Sequence, residues 1–298
     1  MDLVVTAPAI PRPGQTILGE TFRTIPGGKG ANQAVAAARL GADVALVGRV
    51  GDDPYGATLR EQLRAAGVRD EHLPAAPGTA SGVALIVVAP SGENAICVAP
   101  GSNAHVTPAD VNAAEPAIAA AAVCVLQLEL PVETVLAAAD VAHRHGVRVV
   151  LDPAPAPPSL PEPLYEVDVL TPNESEALTL VGDDPGAEPP RLAAELRSRG
   201  ARAVVLKLGR RGAYVSGPEA AAWIPAYPVR VVDTTAAGDA FTAALAVALA
   251  EGQELAEAVR WANAAGALAC TRAGAQPAMP SRAAVEALLT GRRGPMAP

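Results

Sequence analysis

Apolar and polar positions follow two different patterns along the chain. From Val123 to Lys207, short apolar runs alternate with longer amphipathic segments, and this pattern predicts strands followed by helices. Such an alternation is typical of an α/β fold in which helices cover both faces of a mostly parallel central sheet. The predicted strands are 123–128, 147–151, 167–170 and 203–207, and the predicted helices are 131–145, 173–181 and 188–199.

The N-terminal third predicts a second, smaller sheet. Residues 2–25 alternate loosely between β-forming residues and Pro or Gly turns, and residues 81–89 and 94–99 predict a β-hairpin. We expect the hairpin to pair with residues 2–25, because that segment alone is too thin to form a core. Between the two, the pattern predicts helices at 34–40 and 53–67 and a strand at 44–48.

Composition predicts a globular protein that stays out of membranes. The chain has 298 residues, 50% of them hydrophobic, which is enough for a substantial core. The longest apolar run, 117–126, is about half of the roughly 20 residues that a membrane-spanning helix needs. The N-terminus lacks a basic segment followed by an apolar one. We therefore expect a cytoplasmic protein.

Net charge argues against nucleic acid as a partner. The formal charge is −8 at pH 7, which disfavours a broad electrostatic contact with nucleic acid or with an anionic membrane surface. A small anionic ligand would therefore need a locally built site.

Cysteine and histidine predict no metal centre or disulfide framework. Cys97, Cys124 and Cys270 lie far apart without CxxC spacing, and we expect them to be thiols in the core. His143 and His145 are the closest pair of histidines, and a solvated pair is favoured over a metal site.

The two lysines of the chain lie in or beside turns that could bind a ligand. Lys29 lies in a glycine-rich turn, and Lys207 ends a predicted strand just before 208–212, whereas the other 21 basic residues are arginines. Chance could place two lysines there. Even so, a flexible ammonium group differs chemically from a planar guanidinium.

The stretch Val231–Phe241 predicts a strand, a tight turn and the start of a helix that continues through 241–249. Its turn residues Ala236, Ala237 and Gly238 are small, so an anion could approach their backbone N–H groups at the positive end of the helix. Asp239 follows directly, and a carboxylate beside an anion site suits the removal of a proton from an attacking hydroxyl group. The alternative is that Asp239 only caps the helix.

A second loop opens onto a helix at Gly27–Gln33. It matches neither the phosphate-loop pattern GxxxxGK[ST] nor the dinucleotide pattern GxGxxG, because Ala31 follows the second glycine and Gln33 stands where a third glycine would be. An ordinary glycine turn is the alternative interpretation.

Polar residues collect where the predicted parallel strands end. They lie in the segments 127–129, 152–156 and 171–176. Ligands of such folds bind at this edge of the sheet. Asn173 and Glu176 are three residues apart at a helix start, so both could face one metal ion or its waters. Ordinary turns and helix caps are the alternative.

Two of these segments together resemble the signatures of one enzyme family. Gly27–Gln33 and Asp233–Asp239 are similar to the two signatures of the ribokinase family of carbohydrate kinases, in the family's order and spacing. The likeness extends from Asp2 to about Ala284. It implies a single kinase domain over 1–298 with a small β-sheet lid formed by about 3–25 and 79–100.

The resemblance implies ATP-dependent phosphorylation of the primary hydroxyl of D-ribose. Asp239 would be the base, and Ala236, Ala237 and Gly238 would form the anion hole. The family also implies Mg²⁺ with ATP, a monovalent K⁺ activator and a homodimer formed through the lid. Two alternatives remain: a kinase for another small substrate such as deoxyribose, a ketohexose or a nucleoside, and a non-catalytic sugar-binding sensor.

Further site residues are implied position by position. The sugar-binding positions are Asp2, Gly28, Lys29, Gly30, Ala31, Asn32, Glu129 and Asp239. The ATP-binding positions are Asn173, Lys207, Leu208, Gly209, Arg210, Arg211, Gly212, Gly238, Asp239 and Asn263. The metal positions are Glu176 for Mg²⁺ through water, and Asp233, Thr235, Ala269, Arg272, Gly274 and Ala278 for K⁺.

The chain departs from the family pattern in three places. Family members carry a Val-rich strand and a Gly-Ser-x-Asn turn just before the position of Asp2. We therefore expect Met1 to be an internal methionine of a longer chain, and we expect the neighbouring backbone groups to lose partners if that strand is absent. Ala278 stands where a Ser is frequent near the cation, and Asn263 where a His is frequent near adenine.

Overall fold

The computed structural model describes residues 1–182, 186–218 and 220–291. The strands are β1 Asp2–Thr6, β2 Thr21–Ile25, β3 Val50–Gly51, β4 Ala75–Ala76, β5 Val83–Val88, β6 Asn94–Ala99, β7 Val123–Leu126, β8 Arg148–Leu151, β9 Val169–Leu170, β10 Ala203–Lys207, β11 Ala213–Ser216 and β12 Ala221–Ile224. The helices are α1 Lys29–Arg39, α2 Pro54–Ala65, α3 Pro108–Ala113, α4 Glu115–Ala119, α5 Val132–Arg144, α6 Glu174–Val181, α7 Pro189–Ser198, α8 Ala237–Ala250, α9 Leu255–Ala269 and α10 Arg282–Leu289.

The central sheet has six strands in the order β12-β11-β10-β9-β8-β7. Strands β7 to β10 run parallel, and β11 and β12 continue the sheet antiparallel. The α/β class and the mostly parallel sheet predicted from the sequence are therefore confirmed. Strand β7 forms one edge of this sheet within the described residues.

Helices cover both faces because successive side chains of each strand point to opposite sides. Val149 and Leu151 pack with residues of α5 and α7 on one face, whereas Val150 packs with Phe241 and Leu245 of α8 on the other. Burial on both faces explains why these strands are almost continuously apolar.

A separate four-stranded sheet has the order β2-β1-β5-β6 and contains the segments predicted to form the lid. Strand β1 pairs antiparallel with β2 and parallel with β5, and β5 forms a hairpin with β6. The predicted pairing of the hairpin with residues 2–25 is confirmed. All six residues of β6 are exposed, and the prediction that Cys97 is a core thiol is wrong, since it lies on this strand. Cys124 and Cys270 are half-buried.

Helix α8 is the structural centre of the site. Its residues from Asp239 to Leu249 are all buried, and α1 packs against it through Val35 and Ala36, which share a core cluster with Ala240 and Ala243. This packing brings the N-termini of α1 and α8 together.

Two predicted strands do not form. Val231 and Val232 are exposed in a loop, where the Val232 N–H donates to the Cys270 carbonyl at 2.8 Å instead of joining a sheet. Residues 44–48 make only an isolated bridge at Ala45, and the strand lies later, at β3. In both segments tertiary contacts override the β-propensity of valine.

The predicted helix at 34–40 begins earlier, because Lys29 and Gly30 already form its first turn. Among the described helices, none is long and apolar enough to cross a membrane.

Candidate active site

The site lies at the carboxyl ends of the parallel strands. Glu129 follows β7, Asp152 follows β8, Asn173 follows β9, and Lys207 is the last residue of β10. The N-termini of α1, α6 and α8 point to the same edge, so N–H groups and polar side chains converge there.

Asp239 is buried in the first turn of α8, with 5% of its surface exposed. Its Oδ2 accepts a hydrogen bond of 2.9 Å from Asn32 Nδ2, and its Oδ1 accepts one of 3.1 Å from Gln33 Nε2. Burial raises the pKa of Asp239 above the usual range for aspartate, although the Lys29 ammonium and the bond from Asn32 oppose the shift. The structure thus brings the two signature segments into direct contact.

A line of hydrogen bonds continues from Asp239 to the other lysine. Gln33 Nε2 also donates to Asp152 Oδ2 at 3.0 Å, and Lys207 Nζ donates to Asp152 Oδ1 at 2.6 Å. Gln127 donates to the carbonyl oxygen of the Gln33 side chain, which fixes the orientation of the amide. Both ends of this line are therefore charged groups held by buried partners.

Lys29 stands at the start of α1 among carboxylates. Its backbone N–H donates to Glu129 Oε2 at 3.0 Å. Burial alone would lower the pKa of Lys29, but the charges of Asp239, Asp152 and Glu129 together raise it. The ammonium group is therefore fully charged at neutral pH.

The loop before α1 needs glycine at two positions. Gly28 has a φ of 94°, in the region that favours glycine. A Cβ on Gly27 would lie 2.3 Å from Asp2 Oδ2, so the Asp2 carboxylate lies directly against the loop. Burial raises the pKa of Asp2, the N-terminal ammonium lowers it, and Asp239 raises it further. The small sheet, through Asp2 of β1, therefore meets the loop before α1 at this contact.

The turn before α8 leaves two backbone donors free. The Ala237 N–H donates to the Thr234 carbonyl at 3.2 Å. The N–H groups of Gly238 and Asp239 have no hydrogen-bond acceptor in the part of the chain that the structure describes. Gly238 is exposed, and Ala236 has a φ of 56°, which turns the chain sharply into the helix. These two N–H groups can donate hydrogen bonds to an anion.

Asn173 and Glu176 form a capping box at the start of α6. Asn173 Oδ1 accepts from the Glu176 N–H at 2.8 Å, and Glu176 Oε2 accepts from the Asn173 N–H at 2.7 Å. Burial raises the pKa of Glu176, while Lys207 and the backbone bond oppose the shift. The cap leaves Glu176 Oε1 without a hydrogen-bond donor among the described residues.

The segment 208–212 forms a turn after β10, with a short 3-10 helix at Gly209–Arg211. Arg210 and Arg211 are exposed, and Arg211 pairs with Glu174. Asn263 is buried, and its Nδ2 donates to the Ile224 and Pro225 carbonyls at 3.1 and 3.2 Å. Its amide group therefore already has two partners on the chain.

The predicted cation positions come from two loops that the structure joins. Asp233 Oδ1 accepts from the N–H and the hydroxyl of Thr235, and Asp233 Oδ2 accepts from the Gly274 N–H at 2.8 Å. Ala269 and Ala278, on either side of Gly274 in the sequence, are buried, whereas Arg272 is exposed. The Asp233 carboxylate thus links the loop before α8 to the loop at Gly274 by accepting hydrogen bonds from both.

Sequence reasoning did not assign a role to Gln33 or Asp152. Gln33 was visible within the loop signature, and Asp152 at a strand end, but no local pattern shows that they bond to each other. Another unassigned feature is Asn32 Oδ1, a buried oxygen without a hydrogen-bond partner among the described residues. A buried acceptor beside Asp239 suits a ligand hydroxyl group.

Comparison with known proteins gives consistent results. The family model described as pfkB family carbohydrate kinase matches residues 1–282. A protein of Bacillus subtilis (strain 168) described as ribokinase is 44% identical over 290 residues, which cover 97% of this chain and 96% of that protein.

Two solved structures are similar along almost their whole length. A ribokinase from Thermotoga maritima has a TM-score of 0.88 and 35% identity, covering 97% of this chain and 96% of that one. Arabidopsis thaliana ribokinase complexed with ribose and ATP has a TM-score of 0.88 and 32% identity, covering 97% of this chain and 95% of that one.

Proposed function

Because the chain belongs to the pfkB family of carbohydrate kinases, we propose that it transfers the γ-phosphoryl group of ATP to the primary hydroxyl of D-ribose. The family resemblance in the sequence therefore holds, and the chain is an ATP-dependent carbohydrate kinase. Ribose is supported by the relatives described as ribokinases and by the complex of one of them with ribose and ATP. The observation that carries the proposal is the contact between Asn32 and the buried Asp239 at the head of α8.

Asp239 is the proposed general base. The primary hydroxyl oxygen of the sugar attacks the γ-phosphorus, a new O–P bond forms, and the bond from the γ-phosphorus to the bridging oxygen of ADP breaks. The hydroxyl proton passes to the Asp239 carboxylate. Burial favours this role, since it raises the pKa of Asp239 and makes the carboxylate a better proton acceptor. Asn32 and Gln33 fix the direction of the carboxylate.

The anion hole is proposed to hold the phosphoryl group as charge develops on it. The free N–H groups of Gly238 and Asp239 lie at the positive end of α8, with Ala236 and Ala237 providing space. Because Ala237 donates its own N–H to Thr234, it contributes a small side chain to this site.

The sugar is proposed to lie between the glycine loop and the lid. Asn32 Oδ1 is free to accept a sugar hydroxyl, and the carboxylates of Asp2 and Glu129 border the same loop. Gly28, Lys29, Gly30 and Ala31 form the floor of the site. The nucleotide is proposed to lie on the side of 207–212, Asn173 and Asn263.

Magnesium fits the donor set. Glu176 offers one carboxylate oxygen free of protein hydrogen bonds, and Mg²⁺ bound with nucleotides uses one or two carboxylates together with waters and phosphates. Within the described residues no cluster of three or more His, Cys, Asp or Glu side chains is arranged to hold a metal ion by itself. Bound Mg²⁺ would neutralise phosphate charge, with Glu176 holding one of its waters.

Potassium activation is proposed at the loops joined by Asp233. Both oxygens of its carboxylate already accept N–H or O–H groups, so K⁺ would rely mainly on backbone oxygens around Thr235, Ala269, Arg272, Gly274 and Ala278. Its charge would support the anion hole at the adjoining turn.

A homodimer through the lid is supported by exposed apolar side chains. Phe22, Leu85, Ile96 and Val98 are each more than half exposed on the lid sheet. A second copy of the lid would cover them. Sedimentation equilibrium of the wild type and of Ile96→Asp tests this: a dimer that the substitution dissociates is expected, and a wild-type monomer at micromolar concentration would exclude it.

The activity is tested by ADP release with D-ribose, 2-deoxyribose, fructose and adenosine, each with and without K⁺. We expect D-ribose to give the highest kcat/KM. A higher kcat/KM for another substrate would replace ribose as the proposed substrate and leave the proposed kinase activity in place. Sugar binding without ADP release would instead identify a sensor.

A further inference from the structure

The only other lysine near Asp239 is held by a buried carboxylate that the proposed reaction does not use. Lys207 Nζ lies 2.6 Å from Asp152 Oδ1, and 12% of the Lys207 side chain and 2% of the Asp152 side chain are exposed. The pair reaches across strand β9, because Asp152 follows β8 and Lys207 ends β10. It therefore lies at the carboxyl edge of the sheet, where the nucleotide is proposed to bind.

A contribution to the stability of the fold is a poor explanation for the Lys207–Asp152 ion pair. Removing two charges from water is costly, and a well-packed apolar pair of similar volume is often as stable or more stable. An ammonium group also has three N–H donors. Within the described part of the chain, Asp152 is the single hydrogen-bond acceptor of Lys207 Nζ. Donors of a nearly buried ammonium group are therefore left for a ligand.

The Lys207 ammonium group lies close to the N-terminus of α8. A Cβ placed on Gly238 would lie 3.8 Å from Lys207 Nζ, so the ammonium group stands over the first turn of α8, next to the free N–H groups of Gly238 and Asp239. An oxygen atom of an anion bound at this turn would lie within reach of the ammonium group and of both N–H groups.

We infer that Lys207, oriented by Asp152, contacts the phosphoryl group that is transferred, and that Gln33 couples this lysine to the base. Gln33 donates to Asp152 and to Asp239 through the same nitrogen, so the groups that orient the phosphate and accept the proton share one support. Lys207 is then a catalytic residue, and Asp152 is a positioning residue that acts through it. This inference rests on the proposed kinase function and adds a role that the N–H groups of the turn do not fill.

Charge supports the same assignment. The carboxylates of Asp239, Asp152, Glu129 and Glu176 all act on Lys29, so the site is rich in negative charge before ATP arrives. Because these carboxylates repel a triphosphate, a second fixed cation on the nucleotide side would favour its binding beside any bound Mg²⁺. The chain places its second lysine at that point, although every basic residue other than Lys29 and Lys207 is arginine.

The test compares three variants with a matched control. Lys207→Met removes the charge at similar length, Asp152→Asn removes its partner, and the double variant Asp152→Asn/Lys207→Met removes both charges, so that no unpaired charge stays buried. Arg202→Met is the control, because Arg202 precedes the same strand β10 at its opposite end, where it lies 3.7 Å from Asp168.

Lys207→Met is expected to lower kcat for ribose by about 10- to 100-fold, the effect of losing a hydrogen bond to a charged group, with KM for ribose changed less than about threefold. The double variant should match Lys207→Met rather than add a second loss, because Asp152 acts through the lysine. Arg202→Met should retain wild-type kcat. A double variant that folds and turns over at the wild-type rate would overturn the inference.

Nucleotide binding separates this inference from the proposed function. By calorimetry, the ratio of AMP-PNP affinity to ADP affinity should fall about tenfold in the double variant and stay unchanged in Arg202→Met. If the wild type releases no ADP with any sugar, the kinase proposal fails, while the binding ratio still tests Lys207. An unchanged ratio, or an equal loss of both nucleotides together with a lower melting temperature, would show that the pair is only structural.

Discussion

Adding one methyl group at Gly238 should separate the stability of this enzyme from its activity. Gly238 lies in the first turn of α8, outside the left-handed region of φ. A Cβ there would meet Lys207 Nζ, its nearest neighbour beyond the adjoining helix backbone, at an ordinary contact distance of 3.8 Å. The fold can therefore accept Gly238→Ala without strain. Since alanine is the better helix former, unfolding should require up to about 0.5–1 kcal/mol more free energy.

The same methyl group should block the proposed anion hole. It would project into the gap between Lys207 Nζ and the turn, where an oxygen of the phosphoryl group has to approach the N–H groups of Gly238 and Asp239. A donor of an anion hole acts at about 2.7–3.1 Å from the anion, and losing one costs about 10²- to 10³-fold in kcat. Displacing the phosphoryl group from both donors should therefore lower kcat by at least about 10²-fold.

The assay pairs ADP release under saturating ribose and ATP with thermal unfolding. We expect Gly238→Ala to melt at the wild-type temperature or about 1–4 °C higher while its kcat falls. Gly217→Ala is the control, because it adds the same methyl group at the opposite end of the sheet, 3.5 Å from Leu255. A folded Gly238→Ala enzyme with near-normal kcat would refute the anion hole at this turn.

Two further predictions follow from pKa shifts and from helix capping. Because burial raises the pKa of Asp239, kcat should fall with decreasing pH around a pKa above the ordinary value of about 4 for aspartate. The Lys29 charge opposes that shift, so Lys29→Met should move the acidic limb of the pH–rate profile to higher pH. An acidic limb that moves to lower pH in this variant would contradict the assignment. Asp53 caps α2 by accepting from the Gly56 N–H and also accepts from Ser81, and these bonds outweigh burial and lower its pKa. Asp53→Ala should therefore lower the free energy of unfolding by about 1–2 kcal/mol, measured with urea at pH 7. The difference from the wild type should shrink as the pH falls through the pKa of Asp53 in the folded state. A difference that grows towards acid pH would contradict this role of Asp53.

The central sheet could be predicted from sequence because its strands are buried on both faces. Val204 and Val205 pack on opposite sides, so the apolar run that predicted a parallel strand is also the run that the helices cover. The same propensity failed at Val231 and Val232, where contacts with the 270–274 loop hold the chain at the surface. Propensity alone does not distinguish these cases, because burial is decided by distant residues.

The two helix N-termini of the site could be predicted because small residues and glycine leave a local signal. Gly28 adopts a positive φ, and Gly238 leaves the turn open. Because each of these features needs a glycine, the residue type alone indicated both positions. The link from Gln33 to Asp152 could not be predicted, because it joins residues 119 positions apart and depends on how α1 packs on α8. The capping box of Asn173 and Glu176 is local, and the sequence allowed it as the alternative to a metal site; the structure shows that the cap forms.

The most direct test of the central claim is the kcat of Asp239→Ala with saturating ribose and ATP. We predict a loss of about 10²- to 10⁴-fold with the fold retained in circular dichroism, because the Asp239 carboxylate of one signature segment accepts hydrogen bonds from Asn32 and Gln33 of the other. An Asp239→Ala enzyme that turns over at close to the wild-type rate would contradict the claim that this carboxylate is the base.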